Sequence, residues 1–383
     1  MYQIGVREML ALCNVVSRRQ LMRYRGGENG YADRFEAGLR DRCDVRHALA
    51  VNSGTSALIA ALVGLEIGPG DEVIVPAYTW MATAVAATAV GATPVLCNVD
   101  ASLTIDPDDI ERRITRNTRA IIPVHMNNLV CDMDRIMDIA RRRNVAVVED
   151  ASQAVGLSYK GKAVGAIGDA GVFSFNQFKN ITAGEGGALL TNNEKIYARA
   201  LMYHDIGAST REGANLHNQI VFASMNMRVS ELTAAVLYTQ LQRLDGIVRN
   251  LRARRETVLS ALKNIPGAEP APHNDPENAV GLAIRLPDAD AAAAFAGRMD
   301  RTSRAIDSGR HIFTTWKPIL DRTAADPRLN PRNWAERDVD YDVAAFQPTM
   351  AHLARTCLME TPFRLPHPML RRKYRKAAQS WTA

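Results

Sequence analysis

The sequence predicts an α/β fold: a large domain on a mostly parallel sheet (residues 1–245), then a smaller α+β domain (residues 246–383). Three observations carry this. From residue 45 to 190, short β-rich runs alternate with helical ones, the pattern of βαβ units. The strand runs are continuously apolar, as in strands buried on both faces. Near Leu244 the alternation gives way to one long amphipathic stretch, with different punctuation after it.

In chain order, HALAVNSG reads as a strand that turns into the helix TSALIAALVGLEIG. DEVIVPAY and TWMATAVAATAVG repeat the unit, and TPVLCNVD and ERRITRNTRAIIPVHM continue it. The helix MDRIMDIARRRN leads into the strand VAVVEDASQ, and its closing arginines, 141–143, complement the helix dipole. SELTAAVLYTQLQRLDGIVRNLRARRETVLSALKN reads as a connecting helix. IPGAEPAPHNDPEN ends it with four prolines and a glycine. The strand AVGLAIRL and the Ala-rich helix DADAAAAFAGRM then belong to the second domain.

Composition narrows the function. The 383 residues are 47% hydrophobic and 23% charged, enough for a substantial core and more than one domain. The net charge of +6 is spread out, with its densest run at RRKYRK (371–376). A nucleic-acid binder would concentrate it on one face, so no nucleic-acid partner is expected; a mild attraction for anionic substrates is. Five cysteines, widely spaced and without a CxxC, predict free thiols in a reducing compartment and no metal site. No apolar run reaches the roughly 18 residues of a membrane span. The N-terminal apolar run is short and broken by Glu8, unlike a signal peptide, so the cytoplasm is the expected location.

Three places carry chemistry. NSGTSAL, at the end of a strand, offers free N–H groups and hydroxyls at Gly54, Thr55 and Ser56 that suit a phosphate; the same residues also make an ordinary N-cap. Asp150 ends the buried strand VAVVED, where α/β sheets bind ligands, though it too can simply cap a helix. Lys179 stands between an apolar run and the cluster GEGG, which turns the chain so that the lysine faces a pocket. No GxGxxG or P-loop pattern surrounds that cluster. Pyridoxal phosphate needs a lysine for its aldehyde, a carboxylate for its pyridine nitrogen, a helix start for its phosphate and a flat side chain against its ring. Lys179, Asp150, residues 54–56 and Trp80 supply all four in order along one βαβ array.

The stretches NSGTSAL, GPGDEVIVPAYTW, GATPV, IIPVH, CDMDRIMDIA, VVEDASQAVG, FSFNQFKNITAGEGG and NMRVSELTAAV resemble the DegT/DnrJ/EryC1/StrS family of sugar and aminocyclitol aminotransferases. The resemblance covers nearly the whole chain. It implies the aspartate-aminotransferase-like fold type I and a homodimer. It also implies pyridoxal 5'-phosphate, with pyridoxamine 5'-phosphate as its other form. By position it implies Lys179 as Schiff-base lysine and proton shuttle, and Asp150 as partner of the pyridine nitrogen. Trp80 would stack on the ring and Gln153 would lie near its 3-hydroxyl. Gly54, Thr55 and Ser174 would hold the phosphate, reached from the neighbouring subunit by Asn226.

The implied reaction takes an amino group from glutamate or glutamine to a keto or aldehyde group of a sugar, nucleotide-sugar, aminocyclitol or related polar acceptor. A sugar dehydratase of the family would carry histidine in place of Lys179, and a ligand-sensing homologue would lack the lysine or the aspartate. Departures from the family pattern fall at 176–178, at Asn127 and Asn128, and at Ser224. The amides of Asn127, Asn128, Asn176 and Gln177 suit hydroxyls and carbonyls of an acceptor, or else cap turns. Arg228 and His311 are candidates for an acidic substrate group further out; Arg228 serves equally to brace a dimer. His125 reads as a structural histidine or as one facing the site, His204 as a substrate contact or a surface or hinge residue, and Trp316 as a substrate contact. RYRGGENG (23–30) reads as a loop near the site or as plain turns.

Overall fold

The computed structural model describes residues 4–24, 29–208, 221–360, 365–379 and 381. Helices α1 (Val6–Ser17) and α2 (Tyr31–Cys43) precede strand β1 (His47–Val51). The alternation then runs α3 (Gly54–Gly64), β2 (Glu72–Pro76), α4 (Ala82–Ala89), β3 (Thr93–Cys97), α5 (Pro107–Arg113), β4 (Thr118–Ile121), α6 (Met133–Arg143) and β5 (Ala146–Asp150). A hairpin of β6 (Ser158–Tyr159) and β7 (Lys162–Ala163) leads to β8 (Ala170–Ser174), β9 (Gly187–Thr191) and α7 (Glu194–His204). The loop 23–30 lies partly outside the described residues.

These strands form one seven-stranded sheet in the order β1-β9-β8-β5-β4-β2-β3. β3, β2, β4, β5 and β8 pair in parallel, while β9 runs antiparallel to both β8 and β1. The expected mostly parallel sheet is therefore present, with one reversed strand. Strands such as Glu72–Pro76 and Thr93–Cys97 are buried at every position, because helices cover both faces. Asp132 caps α6 by accepting from the Arg135 amide at 3.2 Å; Ile136, Ile139 and Ala140 face the core, and Arg141–Arg143 the solvent.

The stretch read as one connecting helix is two, α8 (Glu231–Leu241) and α9 (Leu244–Leu262). Gln240 and Arg243 turn to the buried Glu8 carboxylate of α1, donating at 2.8 and 3.1 Å. α9 then joins two cores. Leu244, Ile247, Val248 and Leu251 belong to the large-domain core, and Val258, Ala261 and Leu262 to the small one.

The small domain is an antiparallel sheet, β10 (Glu269–Pro270), β11 (Ala283–Arg285), β12 (Thr302–Arg304) and β13 (Thr356–Met359), in the order β10-β11-β13-β12. It packs with α10 (Ala289–Arg298) and with the terminal α13 (His367–Gln379), reached after α11 (Lys317–Leu320) and α12 (Gln347–Ala354). The residues after 246 are not spent wholly on it. Ile312, Phe313, Trp316 and Phe346 pack into the large-domain core, so Trp316 is a core residue.

Leu244 is fully buried, and its side chain fills the space over Gly156, where an added Cβ would come within 2.7 Å. Leu244→Ala should open a cavity at the start of α9 and cost about 2–5 kcal/mol, read from denaturant unfolding.

Candidate active site

β1, β8 and β9 end beside one another. Gly187, the first residue of β9, pairs with both Val51 and Ser174. A Cβ on Gly187 would lie 2.2 Å from the Ser53 carbonyl oxygen, and one on Gly54 would lie 2.7 Å from the Ser174 Cβ. Only glycine lets the start of α3 press this closely on the sheet. The Ser53 hydroxyl accepts from the Ser56 amide at 3.0 Å, and the Ser56 hydroxyl donates to Asn52 at 2.6 Å. Ser56 is thus engaged in capping, while Gly54, Thr55 and Ser174 line the cavity in front of the helix start.

The chain between β8 and β9 is a compact loop. The Phe175 amide donates to Gly186, and the Ala183 amide and Thr182 hydroxyl donate back to the Phe175 carbonyl. Gly184 and Gly186 take φ values of 86° and 146°, open to glycine alone without strain. Asn176 makes the first turn: its side chain accepts from the Phe178 amide at 3.0 Å and its carbonyl from the Lys179 amide at 3.1 Å. The result aims Lys179 into the cavity.

That cavity has a volume of about 410 Å³. Lys179, Asp150, Trp80, Gln153, Asn127, Asn128, Asn176 and His311 line it together with Gly54, Thr55 and Ser174. Asp150 stands at the end of β5. Its Oδ2 accepts from the buried Thr83 hydroxyl at 2.9 Å and its Oδ1 from the Ser152 amide at 3.1 Å. Burial pushes the Lys179 amine below its ordinary 10.5, against the pull of the Asp150 carboxylate. Burial, with the Arg310 and Lys179 cations, also pushes His311 down to about 4, so its imidazole is neutral at physiological pH. Trp80 is 46% exposed at the wall and meets His311 edge-on, with ring centroids 5.8 Å apart.

The amides are tied to the backbone as well as to the cavity. Asn127 and Asn128 both have positive φ, 51° and 61°, which Asn tolerates better than most residues. The Gln153 side chain accepts from the Asn127 amide at 3.0 Å, Asn127 Nδ2 donates to the Tyr78 hydroxyl at 3.3 Å, and Asn128 Oδ1 accepts from Asn180 at 2.8 Å.

Four expected residues stand outside the cavity lining: Ser56, Gln177, Asn226 and Arg228. Gln177 and Asn226 are exposed. Arg228 is ion-paired with the buried Asp205. His204 is buried, with its Nε2 bonded to the Tyr24 hydroxyl at 2.9 Å. His125 is structural: fully buried, it donates from Nε2 to Glu149 at 3.1 Å and accepts at Nδ1 from the Cys131 amide.

Sequence reasoning missed Thr83, Ser152, Asn180, Arg310, Glu185 and Glu360. The four-residue spacing of Thr79 and Thr83, whose hydroxyls lie 3.2 Å apart, was a usable signal for the first. Among the described residues no cluster of three or more His, Cys, Asp or Glu is placed to hold a metal, and no helix is long and apolar enough to cross a membrane.

These residues fit pyridoxal phosphate. The cradle before α3 is one that a side chain at residue 54 would fill, and Lys179 makes no ion pair among the described residues. The fold is that of a fold type I pyridoxal-phosphate-dependent transferase. The chain belongs to the DegT/DnrJ/EryC1/StrS aminotransferase family, whose model matches residues 7–337. It is 43% identical over 225 residues to the GDP-perosamine synthase of Caulobacter vibrioides, a match spanning 58% of this chain and 59% of that protein. Among solved structures it is similar to 3-amino-5-hydroxybenzoic acid synthase (28% identity, TM-score 0.81, covering 100% of this chain and 98% of that one). It is also similar to DesV of S. venezuelae (28%, TM-score 0.75, 98% and 94%).

The folded chain gives up the Lys179 proton at lower pH than the unfolded chain does. The cofactor-free protein should therefore gain stability as pH rises from the lowered folded value to 10.5. Lys179→Met should remove that gain, as denaturant titrations of both proteins across the window would measure.

Proposed function

We propose that the protein is a pyridoxal-phosphate-dependent aminotransferase of the cytoplasm. It moves an amino group from glutamate or glutamine to a keto or aldehyde carbon of a sugar, nucleotide-sugar, aminocyclitol or related acceptor. The observation that carries this reading is Lys179 and Asp150 facing one cavity before the start of α3, with the lysine's charge disfavoured by burial. The likeness to a GDP-perosamine synthase supports a nucleotide-sugar acceptor, and the five free cysteines support a reducing compartment.

When bound, the pyridoxal ring supplies an electron sink for the carbon that loses or gains a proton. The chain's own residues do the rest. The backbone N–H groups of Gly54 and Thr55, with the Ser174 hydroxyl, bind a phosphate. Asp150, fixed by Thr83 and Ser152, holds positive charge at the cavity floor. Lys179 Nζ takes up and returns a proton, a task suited to an amine whose burial favours the neutral form. Trp80 offers a flat apolar wall. Asn127, Asn128 and the neutral His311 offer uncharged hydrogen bonds to a hydroxyl-rich acceptor. The exposed Asn226 meets a phosphate only in the cavity of a second copy, so the working unit is a homodimer with shared sites. Arg228 braces that arm through Asp205.

The purified protein should be yellow. Lys179→Ala should lose the colour and both half-reactions while staying folded; normal turnover by that variant would end this reading. Asp150→Asn should retain cofactor and lose most of the rate. Keto-sugars and cyclitol ketones offered with glutamate or glutamine, with products read by mass, would identify the substrates.

Asn127→Gly keeps the backbone free to hold positive φ and removes only the amide. It should raise the acceptor KM by about tenfold, the equivalent of one hydrogen bond of roughly 1.4 kcal/mol, with the donor half-reaction nearly unchanged. Asn127→Ala should add a loss of about 1–2 kcal/mol in stability from the strained backbone, measured by unfolding.

A further inference from the structure

The densest basic run of the sequence takes no part in the site above. It lies on α13, whose Leu370, Tyr374 and Ala378 are buried in the small-domain core. The opposite side of the helix borders an open groove of about 770 Å³ between α13 and α9, lined by Arg371, Arg372, Arg375, Lys376, Thr257 and His367. Among the described residues no carboxylate lines it.

Several exposed arginines elsewhere on this protein have a carboxylate within reach: Arg116 with Glu336, Arg135 with Asp108, Arg142 with Glu111 and Asp138, Arg328 with Asp326. Even Lys373, on the same helix, is paired with Asp300. Among the described residues, Arg371, Arg372, Arg375 and Lys376 have no such partner.

Their spacing compounds the cost. Arg371 with Arg375, and Arg372 with Lys376, are four residues apart, so like charges face each other one turn away. Each such pair weakens a helix by a few tenths of a kcal/mol until an anion neutralises it. The groove's wall is also built. The Thr257 hydroxyl donates to the Ala253 carbonyl at 2.8 Å, so its oxygen accepts from His367 Nδ1 at 3.0 Å. This bond ties the first turn of α13 to α9 and leaves His367 Nε2 as the ring's unused nitrogen.

We propose that this groove binds a small, multiply charged phosphate ligand, of the pyrophosphate or nucleoside diphosphate class, at a site separate from the active-site cavity. Three guanidinium groups and one ammonium on two adjacent rows can each take a phosphate oxygen, and Arg does so with paired N–H donors. The cations occupy one helix of 13 residues, about 20 Å long, which favours a compact anion over a nucleic-acid duplex.

The test uses the full-length, cofactor-loaded protein, so that the cavity before α3 is already filled. Titration calorimetry with inorganic pyrophosphate, and separately with a nucleoside diphosphate, should give saturable binding that weakens as salt is raised. The double variant Arg372→Ala/Arg375→Ala should weaken binding by about tenfold or more per lost charged contact. Its unliganded thermal midpoint should stay equal or rise, and its amino-transfer kcat and KM should not change. If pyrophosphate binds as well as the diphosphate, the site reads phosphate alone; tighter diphosphate binding adds the nucleoside to the ligand. The proposal is overturned if the loaded wild type shows no saturable binding, if the double variant binds equally well, or if a single-stranded oligonucleotide displaces both small anions at lower concentration.

Discussion

The structure turns on the contact at Gly187, which pairs with Val51 on one side and Ser174 on the other. Val51 is the last residue before the turn into α3, and Ser174 the last before the lysine loop. Because residue 187 has no Cβ, the Ser53 carbonyl sits where a side chain would be. Three chain segments therefore arrive at one point: a helix start with free N–H groups, a strand-end hydroxyl and the loop that carries Lys179. A side chain at 187 or at 54 would force α3 away from the sheet and separate the helix start from the amine.

Around that point the electrostatics are set by burial as much as by charge. Lys179 loses solvation and gains only partial compensation from Asp150, so burial lowers its hold on a proton. His311 sits beside two cations and out of water, and stays neutral. Asp150 is held by Thr83 and the Ser152 amide, which fixes its direction without neutralising it. The cavity thus combines the anchored Asp150, the Lys179 amine and uncharged hydrogen-bonding groups, with Arg310, Glu185 and Glu360 also in its lining. The histidine that does face a carboxylate, His125, is locked one layer beneath, where it stiffens the strand ends.

The small domain reaches the site through backbone contacts. The Gly281 amide donates to the Asn128 carbonyl at 3.2 Å, and a Cβ there would press on Leu129 and the 127–128 carbonyls. Arg310, His311 and Glu360 enter the cavity from the same side. α9 runs through both cores, and residues of the 312–346 segment return to the large one, so the two cores are joined at more than one place. The cationic groove of α13 belongs to the small domain alone.

The alternation of apolar runs and helices, the strand end at Asp150, a helix start near residue 54 and the glycine turn after Lys179 were legible in the sequence, because each is fixed by residues within one or two turns of chain. The cap itself falls on Ser53, one residue before the Gly54, Thr55 and Ser56 that the sequence offered. Lys179, Asp150 and Trp80, singled out in the sequence, line one cavity. Tertiary structure decided the remainder. The reversed direction of β9 leaves no mark on an apolar run, since a buried strand looks the same either way. The break between α8 and α9 depends on Glu8, more than two hundred residues away. Thr83 meets Asp150 across 67 residues, and Arg228 meets Asp205 through a bridge of the Asn226 segment. Sequence patterns report local preference and burial; which polar groups meet is set by how the closed sheet brings strand ends together, and that geometry exists only once the chain has folded.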